Sequence, residues 1–143
     1  MKKAVKFISA TTLFLGVANA QAVNYASGQP LLCAIQSVSE CVAGQGCDSL
    51  MPYEVNLPDF FVIDPASRLL VTTPDNGVQR KTPIEYNERL DGKRMLQGAD
   101  DGIEDVHDGV AWSMAIDEET GRLVMTVAGD AFALAAFGAC TLR

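Results

Sequence analysis

The feature that most constrains this fold is a series of short segments with alternating apolar and polar residues, each ended by turn-forming residues. In residues 110–117, Val110, Trp112, Met114 and Ile116 alternate with small or polar residues. The pairs Asp91-Gly92 and Gly129-Asp130 are typical of two-residue hairpin turns. Since no segment has the length of a crossover helix, the sequence predicts antiparallel strands.

The pattern predicts an all-β fold, a small antiparallel up-and-down barrel of about eight strands, with a two-sheet β-sandwich as the alternative. In the fourth strand the alternation places Thr82, Ile84, Tyr86 and Leu90 on one face. The last strand also suits a helix, but the late Gly138 favours a strand with a bulge or a close backbone approach there. The predicted strands cover residues 31–38, 60–63, 68–73, 82–90, 93–99, 110–117, 122–128 and 131–142.

The first 20 residues have the pattern of a bacterial signal peptide. Three lysines precede an apolar run over residues 7–17, and Ala18-Asn19-Ala20 supplies the small residues required for cleavage. Cleavage after residue 22 is the alternative. The apolar run is too short to span a membrane, and no later stretch is long enough either. We therefore expect a periplasmic or secreted protein in which residues 21–143 form a single β domain.

Four cysteines lie in this exported part, and an even count outside the cytoplasm predicts two disulfides. Sequence alone allows three connectivities. We favour Cys41–Cys47, because Gly44 and Gly46 let that short loop close, and Cys33–Cys140, which would join the first strand to the last. A zinc site is disfavoured, because no C-x-x-C occurs and the single histidine is remote.

The charge and the motifs exclude several classes of function. The chain has 143 residues with 11 basic and 18 acidic side chains, a formal net charge of −7, which disfavours nucleic acid as a partner. No phosphate-binding glycine loop and no G-x-S-x-G motif occurs. We therefore expect no cofactor and no catalytic residues, and a hydrolase is the least favoured interpretation.

Residues 100–109 hold five acidic side chains and the only histidine, His107. We interpret this segment mainly as a solvated hairpin loop. The alternative is a weak site for a hard cation such as Ca²⁺, because crowded carboxylates repel one another and a cation relieves that repulsion. The candidate ligands of that site are Asp100, Asp101, Glu104, Asp105 and Asp108.

The function that remains is non-catalytic binding. We expect a module that binds a protein partner through loops 43–59 and 100–109, with Met51, Tyr53 and Leu57 exposed for contact. The alternative is a carrier of a small apolar ligand inside the barrel, since a barrel of about eight strands has room for one small ligand. The side chains predicted to line such a cavity are Trp112, Met114, Met125, Tyr86, Phe132 and Phe137.

Several stretches together resemble an uncharacterised family of small exported bacterial proteins of unknown function. The resemblance covers most of the chain after the leader and implies no activity, so it assigns no site residues. Loop 100–109 is longer than in that pattern. The stretches that carry the resemblance are residues 55–61, 89–92, 96–98 and 111–117, and the segment that ends in Gly138-Ala139-Cys140.

Overall fold

The computed structural model describes residues 28–72, 79–102, 106 and 108–143 of the chain. A single 3₁₀ helix, Pro52–Val55, occurs among the described residues, and every strand pairing there is antiparallel. The signal-peptide prediction lies outside the described residues. The ten strands are β1 (Leu31–Val42), β2 (Gly46–Leu50), β3 (Phe60–Asp64), β4 (Leu69–Thr72), β5 (Lys81–Pro83), β6 (Tyr86–Leu90), β7 (Lys93–Asp100), β8 (Val110–Asp117), β9 (Arg122–Ala128) and β10 (Phe132–Leu142).

The strands form one curled, barrel-like sheet. Their order is β5-β4-β3-β1-β10-β9-β8-β7-β6, with β2 added to the free half of β1. The strands at the two ends of this order, β5 and β6, are separated along the chain by Ile84 and Glu85 only. The sheet therefore curls until its ends meet, which confirms the predicted all-β, barrel-like fold over the sandwich.

The segment 81–90, which we call the closing segment, joins the two ends of the sheet. The N–H of Ile84 donates to the carbonyl of Arg68 at 2.9 Å, and the N–H of Glu85 donates to the carbonyl of Gln97 at 2.9 Å. Its first half pairs with β4 and its second half with β7. The single predicted strand 82–90 is thus two short strands, because its backbone changes partner at Ile84 and Glu85.

The change of partner also shifts the alternation of inner and outer residues. Thr82 and Ile84 are buried, as predicted. Tyr86 and Leu90 were predicted on the same inner face, but they are 46% and 69% exposed. That part of the prediction is wrong because the strict two-residue period does not continue through the break between β5 and β6.

Two further predictions, for the end of β1 and for the residues that follow it, are corrected by the structure. Strand β1 extends to Val42, beyond the predicted end at residue 38, and residues 46–50, predicted as loop, pair with it as β2. The predicted irregularity near Gly138 is confirmed. The pairing of β1 with β10 shifts between Ile35 and Ser37, and a Cβ atom at Gly138 would lie 2.0 Å from the carbonyl oxygen of Ala34.

Both predicted disulfides are present. Cys33 and Cys140 face each other on β1 and β10, and Cys41 and Cys47 face each other on β1 and β2. The first bond ties the first strand to the last, and the second holds β2 on β1. Disulfides of this kind form in oxidising compartments such as the periplasm or the extracellular space. Within the described residues, no helix is long and apolar enough to cross a membrane.

The interior divides into two parts along the strands. Toward the β8–β9 turn it is filled, and side chains such as Ile116 and Leu123 are at most 1% exposed. Toward the other end of the same strands, Trp112 and Val127 line an open cavity instead. The fully packed residues hold the sheet together, whereas the opposite end of the barrel leaves space. The filled part comprises Leu31, Cys33, Ile63, Ile84, Leu96, Met114, Ile116, Leu123, Ala136 and Cys140.

Candidate ligand cavity

The cavity at the open end of the barrel has a volume of about 320 Å³. Its wall is apolar and comes from most of the strands around the sheet, because inward-facing positions alternate along each of them. The apolar lining residues are Ile35, Val55, Leu57, Pro58, Phe61, Leu70, Val110, Trp112, Met125, Val127, Phe132 and Leu134.

Trp112 is the largest side chain of the wall, and a glycine provides the space for it. Gly98 on β7 is paired with Trp112 on β8. A Cβ atom at Gly98 would lie 2.5 Å from Cζ2 of the indole and 2.5 Å from the carbonyl oxygen of Pro83. The indole N–H is buried and has no acceptor among the described residues. A buried donor without an acceptor costs stability.

One side of the cavity mouth is polar. We call Arg80, Thr82, Asp100 and Asp108 the polar rim, since all four line the cavity at its β5–β7 side. Asp100 is the centre of this group. One carboxylate oxygen accepts from Arg80 Nη2 at 3.1 Å and from the N–H of Gly102 at 2.9 Å, and the other accepts from the hydroxyl of Thr82 at 3.0 Å.

The side chains of the polar rim differ in their exposure to solvent. Thr82 is buried at 6% exposure, whereas the side chains of Asp100 and Arg80 are 26% and 49% exposed. Asp108 lies against Gly102, because a Cβ atom at that glycine would be 2.0 Å from Asp108 Oδ1. The arrangement thus places charge at the mouth and leaves the interior apolar.

The segment 55–58 closes the other side of the mouth. Asn56 adopts a left-handed conformation (φ 56°) at the end of the 3₁₀ helix, and the N–H of Leu57 donates to the carbonyl of Pro52 at 2.9 Å. This turn directs Val55 and Leu57 against the core. Leu57 was predicted to be exposed, but it is half-buried because it forms part of the cavity wall. Met51 and Tyr53 are 51% and 73% exposed.

The predicted lining residues fall into two groups. Trp112, Met125 and Phe132 line the cavity, as expected for a carrier. Met114 lies in the filled part of the core, and Tyr86 and Phe137 are 46% and 45% exposed. Tyr86 lies on the outside because of the break in the closing segment, and Phe137 because Leu134, Ala136 and Cys140 occupy the inward positions of β10.

Of the five predicted cation ligands, the structure describes Asp100, Asp101 and Asp108. Glu104 and Asp105, together with His107, lie outside the described residues. Asp100 is already engaged by three donors from the protein. Within the described parts of the chain, no group of three or more His, Cys, Asp or Glu side chains could hold a metal ion. The cation site therefore stays a prediction.

The acids with perturbed pKa values lie at turns, away from the cavity. Hydrogen bonds from the Ser67 side chain and the backbone N–H of Ser67 lower the pKa of Asp64, and the backbone and side chain of Thr120 lower that of Asp117. These shifts have a local structural cause, since a turn carboxylate commonly accepts backbone N–H bonds.

Sequence reasoning named both loops that meet at the mouth but missed how they meet. Loop 43–59 contributes residues 55–58, and loop 100–109 contributes Asp100, Gly102 and Asp108. Arg80, Thr82 and Gly98 were not predicted as site residues. The alternation that placed Thr82 inward was the one available signal for it, whereas the position of Arg80 depends on contacts between distant strands.

Comparisons of the chain with protein-family models, with curated proteins and with solved structures find no match. The resemblance to small exported bacterial proteins therefore stays a prediction.

Proposed function

We propose that the protein is an exported carrier that binds one small apolar molecule in the barrel cavity. The observation that carries the proposal is the cavity itself, with its apolar wall, its volume of about 320 Å³ and its polar rim at one side. Cavities with a mainly apolar wall and a few placed polar groups are typical of small-molecule sites, which start at roughly 300 Å³. The signal-peptide pattern and the two disulfides support a periplasmic or secreted location.

The disulfides and the barrel suit this role physically. A packed half-core and the Cys33–Cys140 bond, whose partners are separated by 107 residues, stabilise the sheet independently of any ligand. The fold can therefore keep a cavity at the opposite end of the barrel. A carrier needs only to bind and release its ligand, so the proposal gives no lining residue a catalytic role.

The test is direct binding of N-phenyl-1-naphthylamine, a neutral apolar dye whose fluorescence rises in apolar surroundings. The dye should also quench Trp112, the only tryptophan, because its ring lines the cavity. We expect saturable binding with one site per chain. Absence of saturable binding, with Trp112 emission unchanged, would contradict the proposal.

A pair of variants on one strand locates the site. Val127 on β9 is 5% exposed and lines the cavity, whereas Val124 on the same strand is 42% exposed on the outer face. Val127→Phe fills the space and should weaken dye binding about tenfold or more, since lost contacts and steric overlap each cost over 1 kcal/mol. Val124→Phe makes the same change outside and should leave binding unchanged.

A second candidate function is protein binding through the 3₁₀-helix segment. The observation that favours it is the exposure of Met51 and Tyr53, at 51% and 73%. Exposed tyrosine and methionine side chains are enriched at interfaces. If this function holds, Tyr53→Ala and Met51→Ala should each weaken capture of a periplasmic partner without lowering the melting temperature or changing dye binding.

A further inference from the structure

One part of the outer surface of the sheet carries no charged side chain. It consists of the first, third and fifth residues of the segments 37–41, 95–99, 111–115, 124–128 and 133–137, which lie on five neighbouring strands. We call these outward positions the uncharged face. Charged residues make up 20% of the whole chain, so this face differs from the rest. An exposed face without charge, bordered by charged residues, is typical of an interaction surface.

Large and small side chains occupy opposite edges of the uncharged face. The row nearest the filled end of the barrel contains Met95, Val124 and Phe137, and the last two are 42% and 45% exposed. The row nearest the open end consists of alanines on four strands. Within each strand the two edge positions lie two residues before and after a central one. The four alanines are Ala99, Ala111, Ala128 and Ala133.

This arrangement is complementary to itself. A two-fold axis that crosses the strands at the central row reverses the strand direction, so positions equally far from the centre face each other in two copies. Val124 then faces Ala128 of the second copy, and Phe137 faces Ala133 of the second copy. Large side chains opposite small ones let two sheets pack closely face to face.

The charges at the border are complementary about the same axis. Arg122 and Asp130 lie four residues before and after the central Thr126, and both are exposed. Lys93 and Asp101 are exposed and are placed in the same way about the centre of the β7 segment. The axis therefore brings Arg122 toward Asp130 of the second copy and Lys93 toward Asp101. Opposite charges at the border of an interface favour one register.

We infer that the protein forms a dimer in which the uncharged faces of two copies pack together about this axis. Two copies with a formal net charge of −7 repel each other at long range, and this face lets them meet without like charges. Strands about 4.8 Å apart and rows about 7 Å apart give about 500 Å² on each copy, or about 1,000 Å² in total, the lower end for a specific interface. We therefore expect a weak dimer, with a dissociation constant on the order of 10–100 μM.

The first test is sedimentation velocity over a range of concentrations on either side of that value. Thr126 lies at the centre of the face, where its hydroxyl and that of Ser113 are 2.7 Å apart and hydrogen-bonded. Thr126→Lys places two ammonium groups opposite each other across the axis and should weaken the dimer about tenfold or more. Thr141→Lys makes the same change at an exposed residue of β10 beyond the face and should leave the dissociation constant within error.

A charge exchange tests the register of the two copies. Arg122→Glu places a glutamate opposite Asp130 of the second copy, and Asp130→Lys places a lysine opposite Arg122. Each single variant should weaken the dimer about threefold or more, and the double variant should restore it. Both side chains are exposed, so the folded chain should keep its melting temperature in all three variants.

The outcomes are independent of the carrier function, since none of them involves the dye. A monomer at every concentration would overturn the dimer, and so would equal effects of Thr126→Lys and Thr141→Lys. Failure of the double variant to restore association would overturn the two-fold register. Binding of the monomer to vesicles of neutral phosphatidylcholine, abolished by Thr126→Lys, would assign the face to a lipid surface and overturn the second copy as its partner.

Discussion

Asp117 shows how a single side chain fixes a turn in this sheet. Its Oδ1 accepts from the N–H of Glu119 at 3.2 Å, from the N–H of Thr120 at 2.8 Å and from the hydroxyl of Thr120 at 2.8 Å. Gly121 then takes the left-handed conformation, with φ 72°. These bonds favour the ionised carboxylate, which is why the pKa of Asp117 lies below its ordinary value of 3.8.

The lowered pKa of Asp117 predicts a dependence of stability on pH. A group whose pKa is lower in the folded state stabilises the protein above its unfolded pKa and loses that contribution as pH falls through the folded pKa. We expect Asp117→Ala to lower the free energy of unfolding at about pH 7 and to have less effect at about pH 2. Urea denaturation at both pH values measures this.

The control for that experiment is Asp130→Ala, at the exposed β9–β10 turn. This variant should change stability much less at neutral pH. An Asp117→Ala effect of the same size at both pH values would mean that the carboxylate charge is not what stabilises the turn.

Gly138 is required for a different reason, the close approach of two strands. A Cβ atom there would lie 2.0 Å from the carbonyl oxygen of Ala34, and this backbone atom cannot move aside as a flexible side chain could. We expect Gly138→Ala to lower the free energy of unfolding by about 3 kcal/mol or more. Gly109→Ala, whose nearest atom would be 3.3 Å away, is the control and should be much milder. A melting temperature for Gly138→Ala equal to that of Gly109→Ala would contradict this.

At the scale of elements, Arg68 secures the closing segment. It adopts a left-handed conformation (φ 56°) in the β3–β4 turn, and its carbonyl accepts from the N–H of Ile84. Its guanidinium then donates to the carbonyls of Ile84, at 3.1 Å, and Glu85. One residue therefore satisfies three backbone groups at the point where β5 ends and before β6 begins.

We expect Arg68→Ala to lower the free energy of unfolding by about 1–3 kcal/mol, since hydrogen bonds from a charged donor are among the stronger ones. Arg122→Ala removes an exposed arginine of β9 and should cost less than about 0.5 kcal/mol. Hydrogen exchange gives a second readout. The amides of Ile84 and Glu85 should lose protection in Arg68→Ala before those of β8 do.

The elements divide into those that sequence could predict and those that it could not. Strands β8 and β9 were predicted well, because one face of each lies against the core and the period of two follows directly. Strand β2 was missed because its residues are mostly exposed, so no alternation marks it. It forms by pairing with β1 and by the Cys41–Cys47 bond. The break in the closing segment depends on two partner strands that are distant in sequence.

At the scale of the molecule, the candidate site could be predicted in its parts but not as a whole. Trp112, Met125 and Phe132 were expected to line a cavity because they are large, apolar and on inward positions. The polar rim depends on the ends of β5 and β7 meeting, which only the curl of the sheet determines. Leu57 was placed on the surface because its loop has no periodicity, and its packing is a tertiary effect.

The filled and open ends of the barrel lead to a prediction about the whole molecule. A ligand that binds only the folded chain raises the free energy of unfolding by mass action, by about 2.7 kcal/mol at a concentration one hundred times the dissociation constant. We expect a neutral apolar ligand such as octanol to raise the urea midpoint of the protein in this way. Val127→Phe, which binds about tenfold more weakly, should gain only about half as much at the same ligand concentration.

The same experiment reports on cooperativity. Since Trp112 lines the cavity on the strand that also carries Ile116 of the filled core, ligand binding at the open end should stabilise both ends together. Fluorescence of Trp112 and far-ultraviolet circular dichroism should therefore give one unfolding midpoint that moves with ligand concentration. A ligand-dependent midpoint by fluorescence alone would mean that the open end unfolds separately from the filled core.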